Sequence, residues 1–338
     1  MTVLENTSIK HLNTFGIEAK ARFLAHFTGP ASLGKLLADP RFEGLPKMIL
    51  GGGSNVLFTE DYPGLILKNE VKGIEAVREE GDVVLVKAGA GENWHEFVSY
   101  TLNHGWYGLE NLSLIPGNVG ASPMQNIGAY GTEIKDIFHS LEAYEISGGA
   151  VKIFDAEACR FGYRESVFKR ALKGRYIILN VTFALSKTPR VNTRYGAITA
   201  ELEKAGITDP TPKDVSEAVI RIRQSKLPDP AELGNAGSFF KNPVVPEEVF
   251  KRLQKEWPEI PNYPAGEGRV KLAAGWLIEK TGRKGKRTGN CGMHKMQALV
   301  LVNYGGAKGK EIYDLSAAVK KDVYDMFGVE LEREVNIL

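Results

Sequence analysis

Three groups of residues in this chain have types and spacings that could do chemistry. The first is the stretch Ser113 to Asp136, where Gly117, Gly120, Gly128 and Gly131 are spread among Asn118, Gln125 and Asn126. Glycine lets bare backbone N–H and C=O groups approach a flat polar ligand closely. Apolar Leu114, Ile115, Val119, Met124 and Ile127 could tie the stretch into a core, and a long loop that is both anchored and polar serves a site more often than a plain surface loop does. The second is Gly51-Gly-Gly-Ser-Asn55. A dinucleotide-binding fingerprint needs a helix straight after its glycines. Here Thr59 to Gly64 breaks any helix and Leu65 to Leu67 returns as a strand. Two readings stay open: a strand–loop–strand nest whose N–H groups cradle a diphosphate, or a tight turn between strands.

The third group is made of side chains. Arg164 lies in the ring-rich loop Phe161 to Phe168, either as half of a surface ion pair with Glu165 or as an anion clamp. Ser238 lies in Gly234 to Pro243. A serine nucleophile elbow needs glycine two residues before and after, where this chain has Ala236 and Phe240, so that hydrolase chemistry is disfavoured. Gly234 and Gly237 still let a ligand come close to Ser238. Tyr195 is carried by a polar insertion opened by Pro189 to Arg194, either half-exposed or part of a lid. Glu332 and Glu334 share one face of a final strand, Val329 to Val335, with Glu334 beside apolar Val335, Ile337 and Leu338.

The elements that must position these residues read as a mixed chain. Lys47 to Leu50, Val56 to Phe58, Val83 to Val86, Tyr176 to Leu185 and Ala298 to Val302 are strands, and Leu141 to Ile146 pairs with Val151 to Phe154 across Ser147-Gly-Gly-Ala150. Glu92 to Asn103 is a helix whose Trp94 and Phe97 read as core rather than as a cofactor box. Further helices run over Ala200 to Ala205, Thr211 to Ser225, Lys271 to Lys280 and Glu311 to Phe327, the last followed by the final strand in a β–α–β unit. Leu227-Pro-Asp-Pro230 marks a domain boundary.

Composition narrows the class. At 338 residues the chain should hold two or three domains. With 43% hydrophobic and 25% charged residues and a net charge of +2, nothing demands a nucleic-acid or membrane partner. Two cysteines, Cys159 and Cys291, fit a reducing compartment, and the six histidines never fall at metal-ligand spacing. The first residues lack an apolar signal core, so a cytoplasmic protein is expected. The cluster Lys280, Arg283, Lys284, Lys286 and Arg287 reads as solvated surface, with a nucleotide phosphate as the alternative.

Taken together, Asn13-Thr-Phe-Gly16, Ile49 to Leu57, Ile115 to Gly131, Tyr163-Arg-Glu-Ser166, Gly234 to Pro243, Lys271 to Ile278 and Leu331-Glu-Arg-Glu-Val335 resemble the UDP-N-acetylenolpyruvoylglucosamine reductase family, in order and over nearly the whole chain. The length and the Tyr195 insertion resemble the group with a tyrosine loop. One departure is Arg333, where the family pattern has proline. The resemblance implies an α+β chain with a vanillyl-alcohol-oxidase-type (PCMH-type) FAD-binding fold. Its two subdomains would span residues 1–68 and 69–226, with the tyrosine-loop insertion near 186–200, followed by an α+β substrate domain at 227–338.

The resemblance also implies roles. FAD, held without a covalent bond, would lie against Gly51, Gly52, Gly53, Ser54, Asn55, Pro116, Gly117, Gly120, Ala121, Ser122, Gln125, Asn126, Gly128, Ala129, Tyr130 and Gly131, with Arg223 near the flavin. NADPH would be the co-substrate and UDP-N-acetylglucosamine enolpyruvate the small-molecule partner of a monomer. Ser238 matches the proton donor, Arg164 the cation that steadies developing charge, and Glu334 its helper. Tyr195, Lys226, Asn242, Tyr263, Lys271 and Gln297 would hold the UDP and sugar. The rivals are a flavin oxidase of the same fold acting on an alcohol or lactone, and a nucleotide-sugar binder without redox chemistry.

Overall fold

The structure, a computed structural model, describes residues 2–338. It resolves into two compact units that share the chain unevenly. The first takes residues up to 7, 21–52 and 63–225, and the second takes 8–20, 53–62 and 226–338.

In the first unit, a four-stranded sheet runs in the order Val3–Ser8, Lys20–Phe27, Tyr62–Asn69, Lys47–Leu50. The last two strands are parallel, with Lys47 opposite Leu65 and Leu50 opposite Lys68. A five-stranded antiparallel sheet follows the order Val151–Asp155, Phe138–Glu145, Tyr176–Ser186, Val83–Gly89, Ile74–Glu80. Tyr176–Ser186 alternates buried and half-buried positions, so one face enters the core with Val181, Phe183 and Leu185. The helix Trp94–Asn103 packs Trp94, Phe97 and Val98 onto that core. Its start is set by Asn93, whose side chain accepts the Glu96 N–H at 3.1 Å. The helix Pro212–Lys226 buries Val215, Ala218, Val219 and Ile222 against Ile198 and Leu202 of the helix Gly196–Lys204.

In the second unit, a four-stranded sheet in the order Gly234–Ser238, Val300–Asn303, Cys291–Met293, Arg287–Thr288 lies with a three-stranded sheet in the order Val244–Pro246, Arg269–Leu272, Asn262–Pro264. The 19-residue helix Gly309–Phe327 turns Ile312, Leu315, Val319, Val323 and Phe327 into the core and ends at Gly328 in the left-handed region, φ 64°. Two expectations need correction. The helix expected over Lys271 to Lys280 starts at Ala274, because Arg269–Leu272 is paired on both edges as a strand. The strand expected over Val329 to Val335 is a bridge at Arg333 only; the terminal strand is Asn336–Ile337, parallel to Val56–Leu57, so no β–α–β unit forms within one sheet. No helix among the described residues is long and apolar enough to cross a membrane.

Candidate active site

In the first unit the two glycine-rich stretches touch. A Cβ on Gly52 would sit 2.8 Å from the Gly117 Cα and 2.8 Å from the Asn118 Oδ1, so the backbones meet at a distance only glycine allows. The Lys68 ammonium donates to the Gly51 carbonyl, and burial holds its pKa below the usual lysine range. Asn118 donates to the Gly91 carbonyl at 3.0 Å, and Gly117 accepts the Trp94 N–H at 3.0 Å. The Gly89-Ala-Gly91 turn is therefore the shelf on which the central stretch rests.

Backbone strain gathers in the same place. Of the six non-glycine residues with positive φ among the described residues, Leu114, Asn126, Tyr130 and Arg164 belong to the candidate site. Each costs on the order of 1–2 kcal/mol. Local bonds hold them there. Asn126, fully buried, donates to Glu133 at 2.9 Å and Gly162 at 3.0 Å and accepts the Lys135 N–H at 3.1 Å. Tyr130 accepts at its carbonyl from Asn111 at 3.0 Å. Leu114 gives its N–H to His95 Nδ1 at 3.1 Å and takes the Arg223 Nε–H on its carbonyl at 3.1 Å.

Arg164 follows from this wiring. Its guanidinium donates to the Gly128 carbonyl at 2.6 Å and lies 5.5 Å from the Tyr163 ring centre. Glu165, its sequence neighbour, meets Arg170 at 2.8 Å. Ser166 donates to the Met124 carbonyl at 2.6 Å, so the Tyr163-Arg-Glu-Ser166 loop is tied to the central stretch at both ends. Met124 itself is exposed rather than an anchor; Val119 is buried, and Ile115 and Ile127 pack on the core. Burial lowers the Arg223 pKa and raises that of the Tyr130 phenol beside it. The exposed Tyr195 ring meets Tyr130 edge-on, 5.3 Å between centres.

The second unit carries the other half of the candidate residues. Gly53, at φ 66°, would place a Cβ 1.9 Å from the Leu12 carbonyl oxygen, and its own carbonyl accepts the Thr14 N–H at 3.1 Å. This is why Asn13-Thr-Phe-Gly16 accompanies the Gly51 to Asn55 loop. Asn55 donates to the Glu334 carbonyl at 3.3 Å, and its own carbonyl accepts the Asn336 N–H at 3.1 Å. Ser238 ends its strand opposite Val300. The next residue, Phe239, accepts the Glu334 N–H at 2.8 Å, and Lys241 gives its N–H to Glu332 at 2.9 Å. Ser238 and Glu334 are thus carried by neighbouring segments.

The candidate substrate residues of this unit divide. Lys271 stands opposite Tyr263 in register, its ammonium 5.9 Å from that ring centre. Asn242 Oδ1 accepts the Ala274 N–H at 2.9 Å, and Gln297 Oε1 would lie 3.3 Å from a Cβ on Gly275. The start of the helix Ala274–Lys280 gathers these two. Lys226 is exposed at the end of Pro212–Lys226. Three residues of the basic cluster meet acidic neighbours: Lys280 meets Glu259 at 2.9 Å, Arg283 meets Asp322 at 2.5 Å and Lys284 meets Glu279 at 2.9 Å.

Comparison with known proteins adds to the geometry. Residues 22–153 match a family model described as an FAD binding domain, and residues 229–338 match the C-terminal domain of UDP-N-acetylenolpyruvoylglucosamine reductase. The chain is 51% identical over 339 residues to the UDP-N-acetylenolpyruvoylglucosamine reductase of Flavobacterium johnsoniae, covering 100% of both chains. It is 52% identical over 335 residues to that of Chromobacterium violaceum, covering 98% of both. Its fold is like the crystal structure of the corresponding Thermus caldophilus reductase, with TM-score 0.67 at 23% identity over 99% of this chain and 98% of that one.

Proposed function

This chain belongs to the UDP-N-acetylenolpyruvoylglucosamine reductase family, and we propose that it reduces the enolpyruvyl group of UDP-N-acetylglucosamine enolpyruvate to give UDP-N-acetylmuramate. FAD, reduced by NADPH, supplies the hydride when bound, a task no side chain can perform. The chain suits that group: a Cβ on Gly52 would meet the Gly117 Cα at 2.8 Å, so bare main chain lines this place, and Leu114, Asn126 and Tyr130 take the left-handed backbone within the polar stretch. Gly51 to Asn55, Pro116 to Gly131 and Arg223 would hold it.

The chain's own residues do the rest. Hydride addition at the terminal enolpyruvyl carbon leaves negative charge on the next carbon and its carboxylate. Arg164 offers a fixed cation there, and removing one such donor costs roughly 100- to 1000-fold in rate. Its aim is supported by the Gly128 carbonyl that accepts from it. Ser238 Oγ–H gives the proton that completes the product. A hydroxyl is a weak acid, yet a carbanion-like acceptor is basic enough to take its proton. Glu334 assists from the adjoining segment. Lys226 and Lys271 serve the diphosphate as point charges, with Tyr195, Asn242, Tyr263 and Gln297 on the nucleotide and sugar.

The observation that carries this assignment is the Glu334 N–H bond to Phe239, which keeps the carboxylate's segment one residue from Ser238. The reading includes FAD lobes at residues 1–68 and 69–226, a substrate domain at 227–338, and a monomer in the cytoplasm serving peptidoglycan synthesis, cell shape and division. The purified protein should be yellow. Under nitrogen, NADPH should bleach it and the enolpyruvyl sugar nucleotide should restore the colour. A protein recoloured by oxygen alone, with an alcohol or lactone as its reductant, would be an oxidase instead.

A further inference from the structure

Arg333 stands between Glu332 and Glu334 in an isolated antiparallel bridge with Phe240. The bonds of that bridge come from the flanking residues, Lys241 N–H to Glu332 at 2.9 Å and Glu334 N–H to Phe239 at 2.8 Å. The pair itself is therefore of the non-hydrogen-bonded kind, and the Arg333 amide is not part of the ladder. This accounts for the departure from proline: a residue without an N–H meets the same backbone demand.

The Arg333 side chain makes attachments of its own. Its Nε donates to Ser316 Oγ at 2.8 Å, and its guanidinium lies over Tyr313, 4.5 Å from the ring centre. Both partners sit three residues apart on the helix Gly309–Phe327, so they share a face. Ser316 is fully buried and spends its hydroxyl proton on the Tyr313 carbonyl at 2.6 Å, leaving a lone pair for the arginine. Side chains alternate along the extended segment, so Arg333 points away from the two glutamates. Glu332 meets the buried Lys241 ammonium at 2.6 Å. The segment is thus held from both faces while its ladder is only two bonds long.

We propose that Arg333 is a positioning residue, which by docking on Tyr313 and Ser316 fixes the segment that presents Glu334 next to Ser238. This deepens the reading of Glu334 given above and rests on it. A lost anchor of this kind displaces a functional group by a fraction of an ångström to an ångström, a misplacement that costs up to about 100-fold.

The test uses the full FAD-loaded chain. R333A should reduce its flavin with NADPH at a rate within about twofold of the parent, since that step does not need Glu334. Reoxidation by the enolpyruvyl substrate should slow by about 10- to 100-fold. Hydrogen exchange at the Glu334 and Lys241 amides should quicken at least about tenfold, a readout independent of activity. R333K keeps a cation over Tyr313 but loses the Nε fork, and should fall between parent and R333A in both measurements. It also serves if R333A does not fold. Parent-like exchange and reoxidation in both variants would overturn the proposal. E334Q separates the two readings: parent-like reoxidation there overturns the role of Glu334, whereas slow E334Q with parent-like R333A overturns Arg333 alone.

Discussion

Two side chains in this chain can be tested for chemistry one atom at a time. Ser238→Ala removes only the hydroxyl and leaves the opposite residue Val300 and the Phe239 bonds in place. Flavin reduction by NADPH should stay near the parent rate, and turnover of the enolpyruvyl substrate should fall by at least about 100-fold, in the range set by losing a general acid. An equal loss in both half-reactions, read by stopped-flow absorbance, would sink the proton-donor role. Arg164 adds a second dimension, because it carries charge and strain together at φ 54°. Arg164→Ala and Arg164→Gly should both keep FAD and both slow the second half-reaction by about 100- to 1000-fold. The glycine variant should be the more stable of the two in urea by about 1 kcal/mol, since glycine occupies the left-handed region freely. Equal stability would mean that the strain at this position is relieved elsewhere.

At the scale of elements, the first turn of Trp94–Asn103 links proton binding to the site. His95 accepts the Leu114 N–H on Nδ1, which requires an unprotonated nitrogen, and burial followed by the Arg223 charge lowers its pKa from 6.5, against a smaller opposing pull from Glu96. His294, with a buried Nδ1 that has no partner, is shifted the same way by burial and Lys295. Well above pH 6.5 both folded and unfolded chains hold these two rings neutral, and the contribution to stability is complete. As pH falls below that value the unfolded chain binds protons first, so stability declines until the folded-state pKa is passed. Urea midpoints at pH 7.5 and about pH 5.5 should show this decline, and His95→Asn, whose Oδ1 can still take the Leu114 N–H, should make it shallower. An unchanged slope in that variant would remove His95 from the effect. Elements also show where a sequence is legible. Lys47–Leu50, Phe138–Glu145 with Val151–Asp155, and Pro212–Lys226 stand close to the positions their local residues imply, and Phe138–Glu145 and Pro212–Lys226 each bury several side chains. Lys271 stands in a strand rather than in the expected helix because that strand is set by pairing with Val244 and Tyr263, and no local period records a partner. The role of Gly89 to Gly91 leaves no local trace for the same reason: its partners, Asn118 and Gly120, lie more than two dozen residues on.

The whole molecule has an organisation that no contiguous reading conveys. The chain enters its second unit three times, at residues 8, 53 and 226. Its core accordingly draws Phe15 and Ile17 from the first visit, Leu57 from the second, and Phe239, Leu272, Leu301 and Val319 from the third. The terminal strand Asn336–Ile337 has Val56–Leu57 as its partner, and Asn303 donates to the Phe15 carbonyl at 2.8 Å while its Oδ1 accepts from Gly305 and Ala307. The resemblance to a reductase family spans these visits in order, yet nothing in Leu227-Pro-Asp-Pro230 reveals that the residues after it lack part of their own core. A polypeptide of residues 227–338 alone would lose three fully or nearly fully buried side chains, Phe15, Ile17 and Leu57, each worth about 1.5–3 kcal/mol of burial. That sum is comparable to the whole stability of a small domain. The fragment should therefore show no cooperative urea transition and poorly dispersed amide resonances. Supplying residues 8–20 and 53–62 through linkers to the same fragment should restore both. A sharp transition in the unsupplemented fragment would mean that the third visit suffices, and that the earlier two are held by the second unit without being needed to form it.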